Sequence, residues 1–177
     1  HCVTRRQRQM CIRDRNDKLL IIHADDVGLS KSVNESTFES FNNKSITSAS
    51  IIMNTYEMEE GVKFAAENPN YDFGVHLTVT SEWKYHKWGG ILDKAKTPSL
   101  HNSINNFYWN KRRFVKNADL REIKMELQAQ ISLAKSMGLK PSHIDSHEGA
   151  LFFDPNIFKI YIDLAVENDL LAFVPIE

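Results

Sequence analysis

The chain has 177 residues, 42% of them hydrophobic and 25% charged, which is enough apolar material for one sizeable core and argues against a disordered or fibrous chain. A formal net charge of -1 gives no global field for holding nucleic acid or an anionic membrane, and no apolar stretch approaches membrane-spanning length. Cys2 and Cys11 both lie in the N-terminal arm, so no disulfide framework runs through the fold and a cytoplasmic setting is expected.

Residues 1–16 are crowded with Arg and Gln, lack the apolar h-region of a secretory signal and show no sustained helix or strand period. They read as a basic arm foreign to the fold, similar in wording to translated sequencing-adapter text, and are set apart from a single domain over residues 17–177. The run from Lys18 to Ile22, continued by His23-Ala24-Asp25-Asp26, reads as a fully buried strand that ends in two carboxylates. Ser32-x-x-Glu35 is a capping box opening a helix with Val33, Thr37, Phe38 and Phe41 on one side, and Ser30 is a second capping candidate. Ile46 to Met53 is expected to be the second strand, Tyr56 to Asn68 a helix stopped by Pro69, and Asp72 to Thr80 the third strand.

An excursion follows between Thr80 and Asn117, carrying Trp83, Tyr85, Trp88, Tyr108 and Trp109. A loop this long and this aromatic is either a substrate lid or a satellite cluster packed on the domain. His86 and His101 within it have no partner pattern and are read as surface residues. Asn117 or Asp119 then caps a long helix with Leu120, Ile123, Leu127 and Ile131 at helical spacing and Gly138 past its end. A fourth strand holds His143-Ile144-Asp145-Ser146-His147, a helix starts near Pro155, and a short strand is expected near Leu171 to Val174. This alternation predicts βα units and an α/β fold with a mostly parallel sheet. Five strands do not close a (β/α) barrel, which takes about 250 residues. The expectation is therefore the front part of such a barrel, C-terminally incomplete, with one open sheet edge.

Adjacent side chains on a strand point to opposite faces, so Asp25-Asp26 in a buried strand costs a charge unless both lie at the strand end, where such folds keep their chemistry. His76 sits in a β-rich stretch, and His143, Asp145 and His147 recur at period two, on one face of an extended segment. One carboxylate and two imidazoles from three strand ends make a three-ligand site for a divalent ion, and the remaining aspartate is free to act as a base. Each feature has a plainer explanation: an Asp pair caps helices, and a lone strand histidine is usually a hydrogen-bonded core residue. A carboxylate beside a ligating imidazole, as in His-x-Asp-x-His, is the usual supporting partner.

His23-Ala24-Asp25-Asp26-Val27-Gly28-Leu29-Ser30, then Thr47-Ser48-Ala49-Ser50, Gly74-Val75-His76-Leu77-Thr78 and Pro141-Ser142-His143-Ile144-Asp145-Ser146-His147, resemble the YdjC-like carbohydrate deacetylase family, also called ChbG/HpnK. The resemblance implies a (β/α)-barrel hydrolase that uses a divalent metal, usually Mg²⁺, to remove acetyl groups from N-acetylated sugars. By motif position it places Asp26, His76 and His147 on the metal ligands and Asp25 on the catalytic base. Many members continue with further histidines where Glu148-Gly149-Ala150 stands here, similar to a branch with a Met-Gly-Thr-type segment at that place, and Ser81-Glu82-Trp83-Lys84 after the His76 strand resembles that branch too.

The expected chemistry is metal-assisted amide hydrolysis, with His143 and Asp145 as candidates for the general acid or for groups behind the ligands, and Trp83 and Trp88 as sugar-binding rings. Physics adds that two nitrogens and one oxygen suit Zn²⁺, Mn²⁺ or Co²⁺ as well as Mg²⁺. The expected partner is an acetylated sugar or oligosaccharide, with neither nucleic acid nor membrane; homodimerisation stays open. Two other classes share these residues: a metal-dependent phosphoesterase, and a carbohydrate-binding module that needs the aromatic loop but not Asp25.

Overall fold

The computed structural model describes residues 20–175, and the basic arm at residues 1–16 lies outside them. Five parallel strands alternate with helices: β1 (His23–Val27), α1 (Lys31–Asn42), β2 (Ser48–Ile51), α2 (Met58–Glu67), β3 (Asp72–Leu77), α3 (Lys111–Asn117), α4 (Leu120–Ser136), β4 (His143–Ser146), α5 (Pro155–Glu167) and β5 (Leu171–Ala172). The strands lie in sequence order β1-β2-β3-β4-β5, as successive βα units arrange them when each helix returns the chain to the next strand.

Local chemistry sets the boundaries. Ser30, not Ser32, caps α1, its Oγ accepting from Val33 N at 3.3 Å, because the helix begins one residue before the expected box. Asp119 caps α4 by accepting from the N–H groups of Arg121 and Glu122, and Asp154 caps α5 in the same way, with Pro155 at its first position. Gly138, just beyond α4, takes φ +94°, the left-handed turn that ends many helices.

The sheet has two unlike faces. Ala49, Ile51, Phe73, Val75, Leu77 and Ile144 belong to the apolar core, with Phe41, Val62, Ile123, Leu127, Ile131 and Leu164 of the helices. The intervening residues, His23, Ser48, Ser50, Gly74, His76, His143 and Asp145, form the polar face. Gly74 lacks a side chain for a packing reason: a Cβ there would collide with the His143 ring, so the imidazole fills the space.

Leu20, Ile21 and Ile22 are exposed and precede β1, which corrects the expectation of a fully buried strand from Lys18. The regular strand begins only at His23, and among the described residues β1 has one strand neighbour, β2.

Two polar anchors hold the connections. Asn34, fully buried, accepts from Gly28 N at 2.7 Å and donates to Glu57 O and to Glu60, locking the turn after β1 onto the start of α2. Tyr161 donates toward Ile144 O and Phe173 O, each at 2.8 Å, so one phenol joins α5 to the β4 and β5 edge. The excursion after β3 is a packed layer: Trp88, Leu100, Phe107 and Phe114 join the core. It hangs on α4 through Glu126, which accepts from the N–H groups of Ile91 at 2.8 Å and Leu92 at 3.0 Å and from Gln130 at 2.9 Å. His101 is buried and bonded to Thr97 O and Gly90 N, not a surface residue as its isolation in the sequence suggests; His86 is exposed.

Candidate metal centre

The site lies where β1, β3 and β4 end. The β1–β2 register slips between Ala24 and Val27, which face Ala49 and Ile51, so β1 carries one extra residue there. This is a bulge, and bulges re-aim side chains. Asp26 sits within it at φ +60°, a left-handed conformation uncommon outside glycine but accessible to Asp. The irregularity brings Asp26 to the polar face, while Asp25 is exposed and, among the described residues, makes no hydrogen bond or ion pair with the cluster.

His76 comes from the last turn of pleat of β3, buried and opposite Asp145 across the parallel ladder. β4 ends at Ser146, and His147 opens a 3-10 turn in which Glu148 and Gly149 take φ +52° and +65°. His147 therefore reaches the site from a turn, although period-two spacing predicts a continued strand.

The three expected ligands converge. Asp26 Oδ1 is 2.9 Å from His147 Nδ1 and 3.3 Å from His76 Nε2, and the two nitrogens are 3.2 Å apart. Adjacent ligand atoms around an ion bound at about 2.0–2.2 Å stand roughly 3 Å apart, so this triangle fits a divalent cation. Its mixed N₂O donor set also matches borderline and hard metals.

Each imidazole is oriented from behind. His76 directs Nδ1 at Asp145 Oδ2, 2.8 Å away, leaving Nε2 for the triangle. Asp145 also accepts from Ser50 Oγ at 2.9 Å and meets His23 Nε2 at 3.2 Å. His147 directs Nε2 at Glu82 Oε2, 3.0 Å away, leaving Nδ1 for the triangle. A carboxylate behind each ligating histidine is the usual arrangement of metal sites. Glu82 stands in a segment that resembles a branch of the family, but no role follows from its spacing, because it lies in the irregular stretch after β3 and only the fold brings it to His147.

The electrostatics agree. Burial alone would lower the pKa of His76, but Asp145 and Asp26 outweigh it and push it up to about 10. Burial opposes protonation of His147 as well, yet hydrogen bonds to Asp26 and Glu82 raise it to about 9. Burial would raise the carboxyls of Asp26 and Asp145, and their histidine partners instead hold both well below the usual carboxylate range. Without an ion the surrounding carboxylates favour protonated rings, and a cation would replace ring protons where it binds.

The remaining expected residues are dispersed. His143 is buried two residues before Asp145 on β4, its Nδ1 2.8 Å from Ser142 Oγ and its ring against Phe173. Donor atoms of His23, His143 and Asp145 also lie within 4.8 Å of one another. Trp88 is buried and packs edge-on against His147, ring centroids 5.8 Å apart, so it walls the site. Trp83 is 49% exposed. Among the described residues, no helix is long and apolar enough to cross a membrane.

Comparison with known proteins finds relatives of this chain. A family model described as YdjC-like protein matches residues 19–176. The chain is 30% identical over 151 residues to a carbohydrate deacetylase of Clostridium beijerinckii, covering 85% of this chain and 58% of that protein. It is 35% identical over 145 residues to a carbohydrate deacetylase of Geobacillus stearothermophilus, covering 82% of this chain and 55% of that one. The chain thus spans little more than half the length of these curated relatives. Among solved structures, a protein of Enterococcus faecalis V583, provisionally named a cellobiose-phosphate cleavage protein, superposes with a TM-score of 0.80 at 28% identity, covering 89% of this chain and 59% of that one.

Proposed function

The chain belongs to the YdjC-like protein family, and we propose that it carries the metal centre of a hydrolase that removes acetyl groups from N-acetylated sugars. The observation that carries this reading is the triangle of Asp26 Oδ1, His76 Nε2 and His147 Nδ1, with sides of 2.9 to 3.3 Å and a carboxylate behind each ring. The names of the two deacetylase relatives support the substrate class.

In this reading Asp26, His76 and His147 hold a divalent ion. Bound there, the ion supplies a Lewis acid for the acetyl carbonyl and lowers the pKa of water. Asp145 and Glu82 keep the two imidazoles in the orientation that offers a lone pair to the cation. Asp25, solvent-exposed beside Asp26, is the base that takes a proton from the attacking water. His143, about 10 Å back along β4 from the strand end at Ser146 at the usual rise per residue, lies beside Asp145, with donor atoms of the two within 4.8 Å, and is set too deep to protonate the leaving amine. Trp83 offers its exposed ring to the C–H face of a sugar, and Trp88 shapes the wall beside His147. Mg²⁺ is the ion the family resemblance suggests, but it prefers oxygen, and the two nitrogen donors lean toward Zn²⁺, Mn²⁺ or Co²⁺.

The test is release of acetate and a free amine from N-acetylglucosamine oligomers, with and without added divalent ion. Ion-dependent acetate supports the proposal. Phosphate release from a generic ester without acetate release would move the reaction to phosphoryl chemistry, and sugar affinity with neither product would leave a binding module.

A further inference from the structure

We propose that Glu82 is a positioning residue that makes His147 a ligand through Nδ1 and ties the excursion after β3 to the metal centre; this rests on the metal reading above. A histidine offers either ring nitrogen to an ion, and the choice is set by what the other nitrogen bonds. For His147 that partner is Glu82 Oε2, 3.0 Å from Nε2. Donation of Nε2–H to this carboxylate leaves the lone pair on Nδ1, the atom 2.9 Å from Asp26.

Glu82 can do this because its own backbone is fixed. The preceding residue, Ser81, is fully buried, donates N–H to Tyr108 O at 2.9 Å and accepts from Trp88 N on Oγ at 3.0 Å. Lys87 donates to the Ser81 carbonyl at 2.6 Å. Trp88, set by the Ser81 hydroxyl, rests its ring against His147. One ligand is therefore touched twice by the excursion, by a carboxylate on one ring nitrogen and by an indole beside the ring. The neighbouring acid, Glu148, has a carboxylate oxygen within 4.8 Å of donor atoms of Glu82 and His147 but bonds Thr80 Oγ1 at 3.5 Å and pairs with Lys111 Nζ at 3.9 Å, so among the described residues Glu82 is the acid hydrogen-bonded to Nε2. Its side chain is 26% exposed, which places it at the mouth of the site rather than in the core.

Zn²⁺, which is diamagnetic, is the probe. Calorimetric titration of the chain should give an affinity that falls about 10–100-fold in Glu82→Ala, the usual cost of removing a carboxylate behind a ligating histidine. Glu82→Gln should recover most of it, since its carbonyl oxygen still accepts from Nε2–H. Long-range ¹H–¹⁵N spectra of the Zn²⁺-loaded wild type should show the His147 Nδ1 as the ligand and Nε2 as protonated, a readout independent of how well any variant folds. Equal affinity in Glu82→Ala and wild type, or an Nε2-bound ring in the wild type, would overturn the assignment. Wild type that binds Zn²⁺ no better than His147→Ala would overturn the metal reading itself, and this one with it.

Discussion

His76 Nδ1 and Asp145 Oδ2 stand 2.8 Å apart on residues that face each other across the parallel β3–β4 ladder. The pairing register, not a loop, fixes the contact, so the ring of the β3 ligand cannot turn without breaking the sheet or the bond. Ser50, on the next strand, donates to the same carboxylate oxygen at 2.9 Å, and three strands thereby share one buried anion.

Asp145→Ala should accordingly lower divalent-ion affinity by about 10–100-fold while leaving all three ligands in place. Asp145→Asn should lose less, because its carbonyl still accepts from Nδ1–H. Titration with Zn²⁺ or Mn²⁺ checks both, and an Asp145→Ala variant that binds as well as wild type would show that His76 is held by other means.

The adjacent aspartates should separate by function. Asp26→Asn should lose ion binding, whereas Asp25→Asn should keep it and lose about 10²–10⁴ in turnover if Asp25 is the base. The backbone adds a second contrast. Asp26 takes φ +60°, which Asn tolerates and Ala resists by about 1–2 kcal/mol. Both changes remove the same charge, so the metal-free Asp26→Ala chain should unfold more easily than Asp26→Asn by about that amount in urea. Equal stability would mean the bulge relaxes when Asp26 is lost.

Glu126 is the polar anchor of the excursion. Its buried carboxylate meets the N–H groups of Ile91 and Leu92 and the Gln130 amide, which in turn brackets both backbone groups of Thr78. Glu126→Ala leaves the half-buried N–H groups of Ile91 and Leu92 without an acceptor, at about 1–3 kcal/mol for each one that water does not reach. Chemical denaturation should show a loss of at least about 2 kcal/mol on this basis, and Glu126→Gln a smaller one. A change near zero would show that the excursion is held by its apolar residues alone.

The alternation of elements was legible where a βα unit carries its own punctuation: Asp119, Gly138 and Pro155 mark helix ends by local chemistry that no tertiary contact has to supply. The three residues proposed as ligands were legible as three motifs, and the family resemblance joined them. What the pattern hid was non-local or irregular. Asp26 reaches the cluster through a bulge and a left-handed residue, where strict alternation assigns it the opposite face. Glu82 belongs to no periodic segment, and its role depends on Ser81 being pinned to Tyr108. His101 looked exposed because its partners, Thr97 and Gly90, are backbone groups that carry no sequence signal. The exposed run Leu20 to Ile22 is apolar enough for a core, but hydropathy does not say how many neighbours an edge strand has.

The last prediction concerns pH. His76 and His147 are held up to about 10 and about 9, above the ordinary imidazole value of 6.5, by Asp145, Asp26 and Glu82 against the opposing effect of burial. A raised pKa in the folded state stabilises fully below the unfolded value, and the benefit disappears as pH climbs through the folded one. Asp26 and Asp145 are depressed, so their contribution is present above about pH 4, the unfolded carboxylate range, and is lost on acidification. The metal-free chain should therefore be most stable between about pH 4 and 6.5, with a thermal midpoint that declines toward pH 9. A bound cation reverses the alkaline slope, because each ligand nitrogen must shed its proton first and affinity rises about tenfold per pH unit for each proton released. Thermal unfolding at pH 5.5, 7 and 8.5, with and without Zn²⁺, reads both effects in one series. A metal-free midpoint that rises across this range would mean the rings are neutral in the folded chain and that Asp26 and Asp145 do not hold them charged.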